Sequence, residues 1–128
     1  MKETDIEKFE KMQTQLHGLY EEISALSKKA PNDAVNKFKL KFINEVLSQS
    51  DGILTSQHKP FDEFKRFDED DLPTNSDVAL ILSQYLNCME ELRVDNIEQP
   101  GGGGWYWLVN GEISTMRTSA PKKLKGER

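Results

Sequence analysis

WYWLVNGEISTMRT, residues 105–118, is the stretch whose reading decides the fold class. Asn110-Gly111 separates two runs rich in aromatic and β-branched residues. A two-residue type I′ turn needs positive φ at both central positions, which Asn and Gly tolerate, so the pattern predicts an antiparallel hairpin. Counting outward from the turn, Val109 pairs with Glu112, Leu108 with Ile113, Trp107 with Ser114, Tyr106 with Thr115 and Trp105 with Met116. Alternation then places Trp105, Trp107, Val109, Ser114 and Met116 on one face, and Tyr106, Leu108, Ile113 and Thr115 on the other. A lone hairpin is marginal in water, so one face must lie on the rest of the chain.

Upstream of the hairpin, Pro100 and Gly101–Gly104 read as a flexible link. They are not a phosphate loop, because no Gly-Lys-Ser/Thr follows and the glycines lead into a strand rather than a helix. Before them, Val78, Leu82, Tyr85, Met89 and Leu92 form one helical stripe, widened by Ala79, Ile81, Leu86 and Cys88. Thr74 and Asp77 supply its cap, and so wide an apolar surface implies a central helix. Ser48–Pro73 is irregular, but Phe61, Phe64 and Phe67 recur every three residues behind Pro60 and predict a short extra helix.

Val35, Phe38, Phe42 and Val46, with Leu40, Ile43 and Leu47 beside them, give helical spacing over 35–47. Lys37–Phe42 also alternates with period two, so a strand is the competing reading; the spacing through Leu47 favours helix, with Asn32 or Asp33 as its cap. Phe9, Met12, Leu16, Leu19, Ile23 and Leu26 follow a three-four repeat over Asp5–Lys29, with Thr4 and Glu7 as a capping box. This stripe is either one helix of a bundle or, through Phe9, Leu16, Leu19, Ile23 and Leu26, a homodimer seam. The expected architecture is therefore α+β and mostly α: a three-helix bundle, a short fourth helix and a C-terminal antiparallel hairpin. Residues 1–120 form one domain, and 121–128 form a basic flexible tail.

Charge is unevenly spread. Residues 1–60 are neutral, 61–99 carry −8 and 100–128 carry +3, giving −5 overall. Bulk nucleic-acid binding needs a concentrated basic field, which this balance disfavours. Cys88 is the single cysteine, so no internal disulfide forms, and no leader-like apolar run opens the sequence; the cytoplasm is the expected compartment. Asp68–Asp71 lacks the alternating ligands, glycine and closing glutamate of a calcium loop. His17, His58 and Cys88 have no neighbours in sequence that would orient them for catalysis or zinc. Neither a catalytic site, a metal nor a cofactor is expected.

Two binding readings remain. The preferred one is a small non-catalytic protein that binds a basic protein partner, in the manner of an inhibitor, an antitoxin-like or immunity-like factor, or an adaptor. Its contacts would be the acidic residues Asp62, Glu63, Asp68, Glu69, Asp70 and Asp71, with Trp105 and Trp107 of the hairpin. The alternative is RNA or single-stranded nucleic acid, with the hairpin aromatics stacking bases and Arg117, Lys122, Lys123 and Lys125 following phosphates. Which hairpin face is exposed decides much of this choice.

Overall fold

The computed structural model describes residues 1–122 and contains three helices and a three-stranded antiparallel sheet. Helix α1 spans Glu3–Lys29. It starts two residues before the Asp5 expected from sequence, because the Lys2 backbone N–H donates to Asp5 Oδ2 at 3.1 Å and closes the first turn there. Ile6, Phe9, Met12, Leu16 and Ile23 are buried along one stripe. Leu19 and Leu26 are half-buried against the same core. The heptad residues thus serve the chain's own interior. Phe9, Leu16 and Ile23 are sealed within it and cannot also form a homodimer seam, which corrects that expectation.

Residues 37–53, Lys37–Ile53, form helix α2, so the strand reading of Lys37–Phe42 fails. Asn36 is its cap, accepting the Lys39 N–H at 2.8 Å. Asn32 and Asp33 do not cap it, because their segment is laced to the start of the next helix. Val35 N–H donates to Pro73 O, Asn75 N–H to Asp33 O, and the Asn75 side chain to Ala30 O, each at 2.9 Å. Leu40, Ile43, Val46 and Leu47 point into the core.

The expected helix over Phe61–Phe67 does not form. Asn44 accounts for this locally. Its side chain accepts the Phe67 N–H at 2.8 Å and donates to Phe67 O at 2.9 Å, taking both backbone groups that a helix would need. The three rings instead stack edge-to-face in series, at 6.4 Å for Phe61–Phe64 and 5.0 Å for Phe64–Phe67. Phe64 and Phe67 pack on the core, and the strap from Phe61 to Pro73 runs along the edge of α2.

Helix α3 spans Asn75–Val94, capped by Thr74, which accepts the Asp77 N–H at 3.2 Å. Its apolar width suggested a central helix, but α1 is the element on which both α2 and α3 pack. Strand β1, Ile97–Glu98, is unforeseen by the sequence reading. It pairs antiparallel with β2, Trp105–Val109, which pairs with β3, Glu112–Thr118, so the sheet order is β1-β2-β3. The four-glycine segment is therefore a tight connection between β1 and β2 rather than a loose linker. Gly101 and Gly102 hold φ of 59° and 76° in it, a region side chains resist.

Asn110 and Gly111 take φ of 52° and 83°, and Val109 faces Glu112 and Leu108 faces Ile113, as counted from the turn. Beyond that the register slips. Tyr106 faces Arg117 and Trp105 faces Thr118, so Trp107 lies opposite a bulge containing Ser114, Thr115 and Met116. Ser114 holds the bulge by donating from Oγ to Trp107 O at 2.7 Å and accepting the Met116 N–H at 3.0 Å. The two extra residues preserve alternation, so Trp105, Trp107, Val109 and Met116 still share the face on the core. Trp107 is fully buried, edge-to-face on Phe9 at 5.1 Å, with its indole N–H donating to Glu10 Oε1 at 3.0 Å.

Candidate functional site

The outward face of α2 is the most distinctive surface. At 100° per residue, Phe38 and Phe42 point away from the Leu40, Ile43 and Leu47 side that packs on α1. Phe38 is 73% exposed and Phe42 46%, and the two rings stack edge-to-face at 5.1 Å. Single exposed apolar residues are ordinary, whereas a paired aromatic ridge is informative. On one flank, Phe42, Val46, Leu19 and Gly18 line a groove of about 490 Å³ between α1 and α2. Lys39 bridges its upper end to Glu22 at 3.1 Å. On the other flank, Lys41, Asn44, Glu45, Lys65 and Arg66 line a groove of about 550 Å³ between α2 and the strap.

Of the acidic residues expected from sequence to bind a partner, Asp70 is tied to the start of this ridge and Glu69 lines its strap-side groove. Asp62, Glu63, Asp68, Asp70 and Asp71 are exposed and Glu69 is half-exposed. Lys37, one residue before Phe38, reaches Asp70 Oδ1 at 3.8 Å and links the strap to the start of α2. The hairpin tryptophans do not join this surface. Trp107 is a core residue and Trp105 is half-buried against the core, so neither presents a free ring to a protein or a base. Arg117 is exposed, with its guanidinium over Gly104, and Lys122 is exposed. Lys123 and Lys125 lie outside the described residues.

Two polar constellations elsewhere are closed on themselves. Between α1, α3 and the end of β3, a cleft of about 280 Å³ has Glu90, Arg93 and Trp107 among its lining residues. Arg93 is only 3% exposed and forms five hydrogen bonds. Two go to the Glu90 carboxylate at 2.8 Å, and the others reach Thr118 Oγ1, Ser119 O and Ala120 O. Burial pushes the Glu90 carboxyl up, but the Arg93 hydrogen bonds, the Lys122 N–H and the Arg93 charge outweigh it and hold it below its ordinary range. Near the ends of α2 and α3, buried His58 joins Thr55 Oγ1 at 2.7 Å to Asp95 Oδ2 at 2.8 Å. Both imidazole nitrogens are engaged, and the group ties the turn after α2 to the end of α3.

Sequence reasoning missed Phe38 and Phe42 as surface residues. The signal was present: Phe38, Leu40, Phe42, Ile43, Val46 and Leu47 span more of the helix than one neighbour can cover. Among the described residues, no helix is long and apolar enough to cross a membrane, and no three His, Cys, Asp or Glu side chains cluster to hold a metal. No protein-family model matches the chain, and no curated protein and no solved structure is found to be similar to it.

Proposed function

We propose that this chain acts by binding another protein, without catalysis, through the outward face of α2 and the acidic strap beside it. The observation that carries the reading is the stacked, exposed Phe38–Phe42 pair between two grooves. Covering the exposed parts of both rings stabilises a complex by roughly 2–4 kcal/mol at ~1.5–3 kcal/mol per fully buried ring. Charges of both signs around the pair, Lys37 and Lys41 with Glu45 and Asp70, supply orientation and rejection of wrong partners. An inhibitor, an antitoxin-like or immunity-like factor, or an adaptor would each use such a surface. The reading assumes a cytoplasmic setting, consistent with a lone thiol at Cys88.

The test is site-specific photocrosslinking in the producing cell. Phe38 is replaced by photoreactive p-benzoylphenylalanine, and Leu80, an isolated exposed leucine on α3, is replaced in the same way as the control. Discrete adducts from position 38 and none from position 80 are expected. No adduct at 38, or equal adducts at both positions, refutes the reading.

A further inference from the structure

We infer that the occupant of this face is a second copy of the same chain, joined to the first about a two-fold axis beside Phe42. The inference rests on the protein-binding reading and names its partner. A two-fold contact brings one patch against itself after a half-turn, so the patch must complement itself in shape and charge. A face of one sign would repel its copy. This face carries Lys37 and Lys41 along the first half of α2, then Glu45, with Glu69 and Asp70 on the adjoining strap.

Lys41 and Glu45 stand one turn apart on α2, and Phe42 lies next to Glu45 on the side toward α1. Lys41 forms no ion pair among the described residues. Within one helix, a Lys preceding a Glu is the weaker orientation for an ion pair. An axis passing between the two residues brings each Lys41 against Glu45 of the second copy and sets the Phe42 rings together. Phe38 then extends the apolar strip at both ends.

The extent of the face fits. The 17 residues of α2 give a length of ~26 Å. With α1 on one flank and the strap on the other at ~10 Å spacings, the face covers roughly 500–800 Å². Its upper end reaches the ~800 Å² per partner of a standard stable interface, about a tenth of the 7740 Å² surface of the chain.

The experiment is sedimentation velocity with light scattering on the full chain across a concentration series. The mass should rise from 14.7 kDa to twice that value as concentration increases through the micromolar range. Phe42→Ala should weaken the dimer about 30-fold, as truncation of a central aromatic anchor does. Lys41→Glu and Glu45→Lys should each weaken it, and the two together should restore it. All four variants alter outward-facing side chains, and unchanged circular dichroism confirms their folding. A chain that stays at 14.7 kDa up to about 1 mM overturns the inference. So does a dimer indifferent to Phe42→Ala, or a double exchange no better than either single one. A monomer whose position 38 crosslinks to a different protein refutes the second copy and leaves the protein-binding reading standing. A monomer with no adduct at 38 removes both.

Discussion

Replacing Arg93 with Met, while leaving Glu90 in place, should be among the most damaging single changes in this chain. Met retains much of the buried stem and deletes all five hydrogen bonds. Ser119 and Ala120 are exposed, so water replaces Arg93 at their carbonyls at little cost. Glu90 has no such recourse. It is buried and keeps only the Lys122 N–H at 2.8 Å. The loss is therefore dominated by a stranded carboxylate, about 3–5 kcal/mol when one partner of a buried pair is removed. Against a total stability of ~5–15 kcal/mol for a typical domain, that is a large share. Arg93→Met with Glu90→Met removes the stranded charge and should cost far less than the single change.

Urea unfolding at pH 7, followed by circular dichroism, gives both numbers. Acidification adds a sign. In the native chain the folded Glu90 carboxyl lies below its ordinary value of 4.5, so its contribution is fully present above that value and is lost as pH falls through the folded one. In Arg93→Met the guanidinium is gone and burial pushes the carboxyl up, so acid relieves the variant. The gap between the two proteins should narrow as pH falls from 7 toward 4.5. A cost below about 1 kcal/mol at pH 7, a gap that widens in acid, or a double variant worse than the single one refutes the reasoning.

Two further outcomes follow from buried polar contacts. Tyr85 donates to Asp51 Oδ1 at 2.8 Å, and burial, that hydrogen bond and the Asp51 charge raise its hydroxyl well above the ordinary 10.0. Its neutral form stabilises the fold below pH 10 and this contribution is lost as pH rises further, so Tyr85→Phe should flatten the alkaline fall in Tm; an identical fall in both proteins contradicts this. Ser114→Ala should destabilise by about 1–2 kcal/mol and speed amide exchange at Met116, because the hydroxyl serves two backbone groups of the bulge; unchanged exchange there shows that the bulge holds without it.

Signals confined to a few neighbouring residues were legible in the sequence. The Asn110-Gly111 turn, the Thr74 cap and the stripe of α1 each depend on local backbone chemistry or a regular period, and each lies where its pattern indicates. Features decided by distant contacts were hidden. Asn44 prevents a helix at Phe67 from 23 positions away. The register slip depends on Ser114 bonding Trp107, and β1 is too short to carry an alternation of its own. The candidate surface was half legible. Its carboxylates stand out in the sequence, but periodicity marks apolar residues without saying which of two helix faces finds a neighbour, so the outward position of Phe38 and Phe42 is not legible from it.

The contact of Trp107 with Phe9 and Glu10 also has a temporal consequence. The two sites are separated by 97 residues, about three quarters of the 128-residue chain. During synthesis at ~5–20 residues per second, the stripe of α1 waits about 5–20 s for the indole that completes its cover. Through that interval Phe9 and its neighbours are apolar surface available to chaperones, and native packing can close only after β2 has left the ribosome. Folding of this mostly helical chain is thus paced by its last strands, and a ribosome stalled before residue 105 holds a nascent chain with an unfinished core.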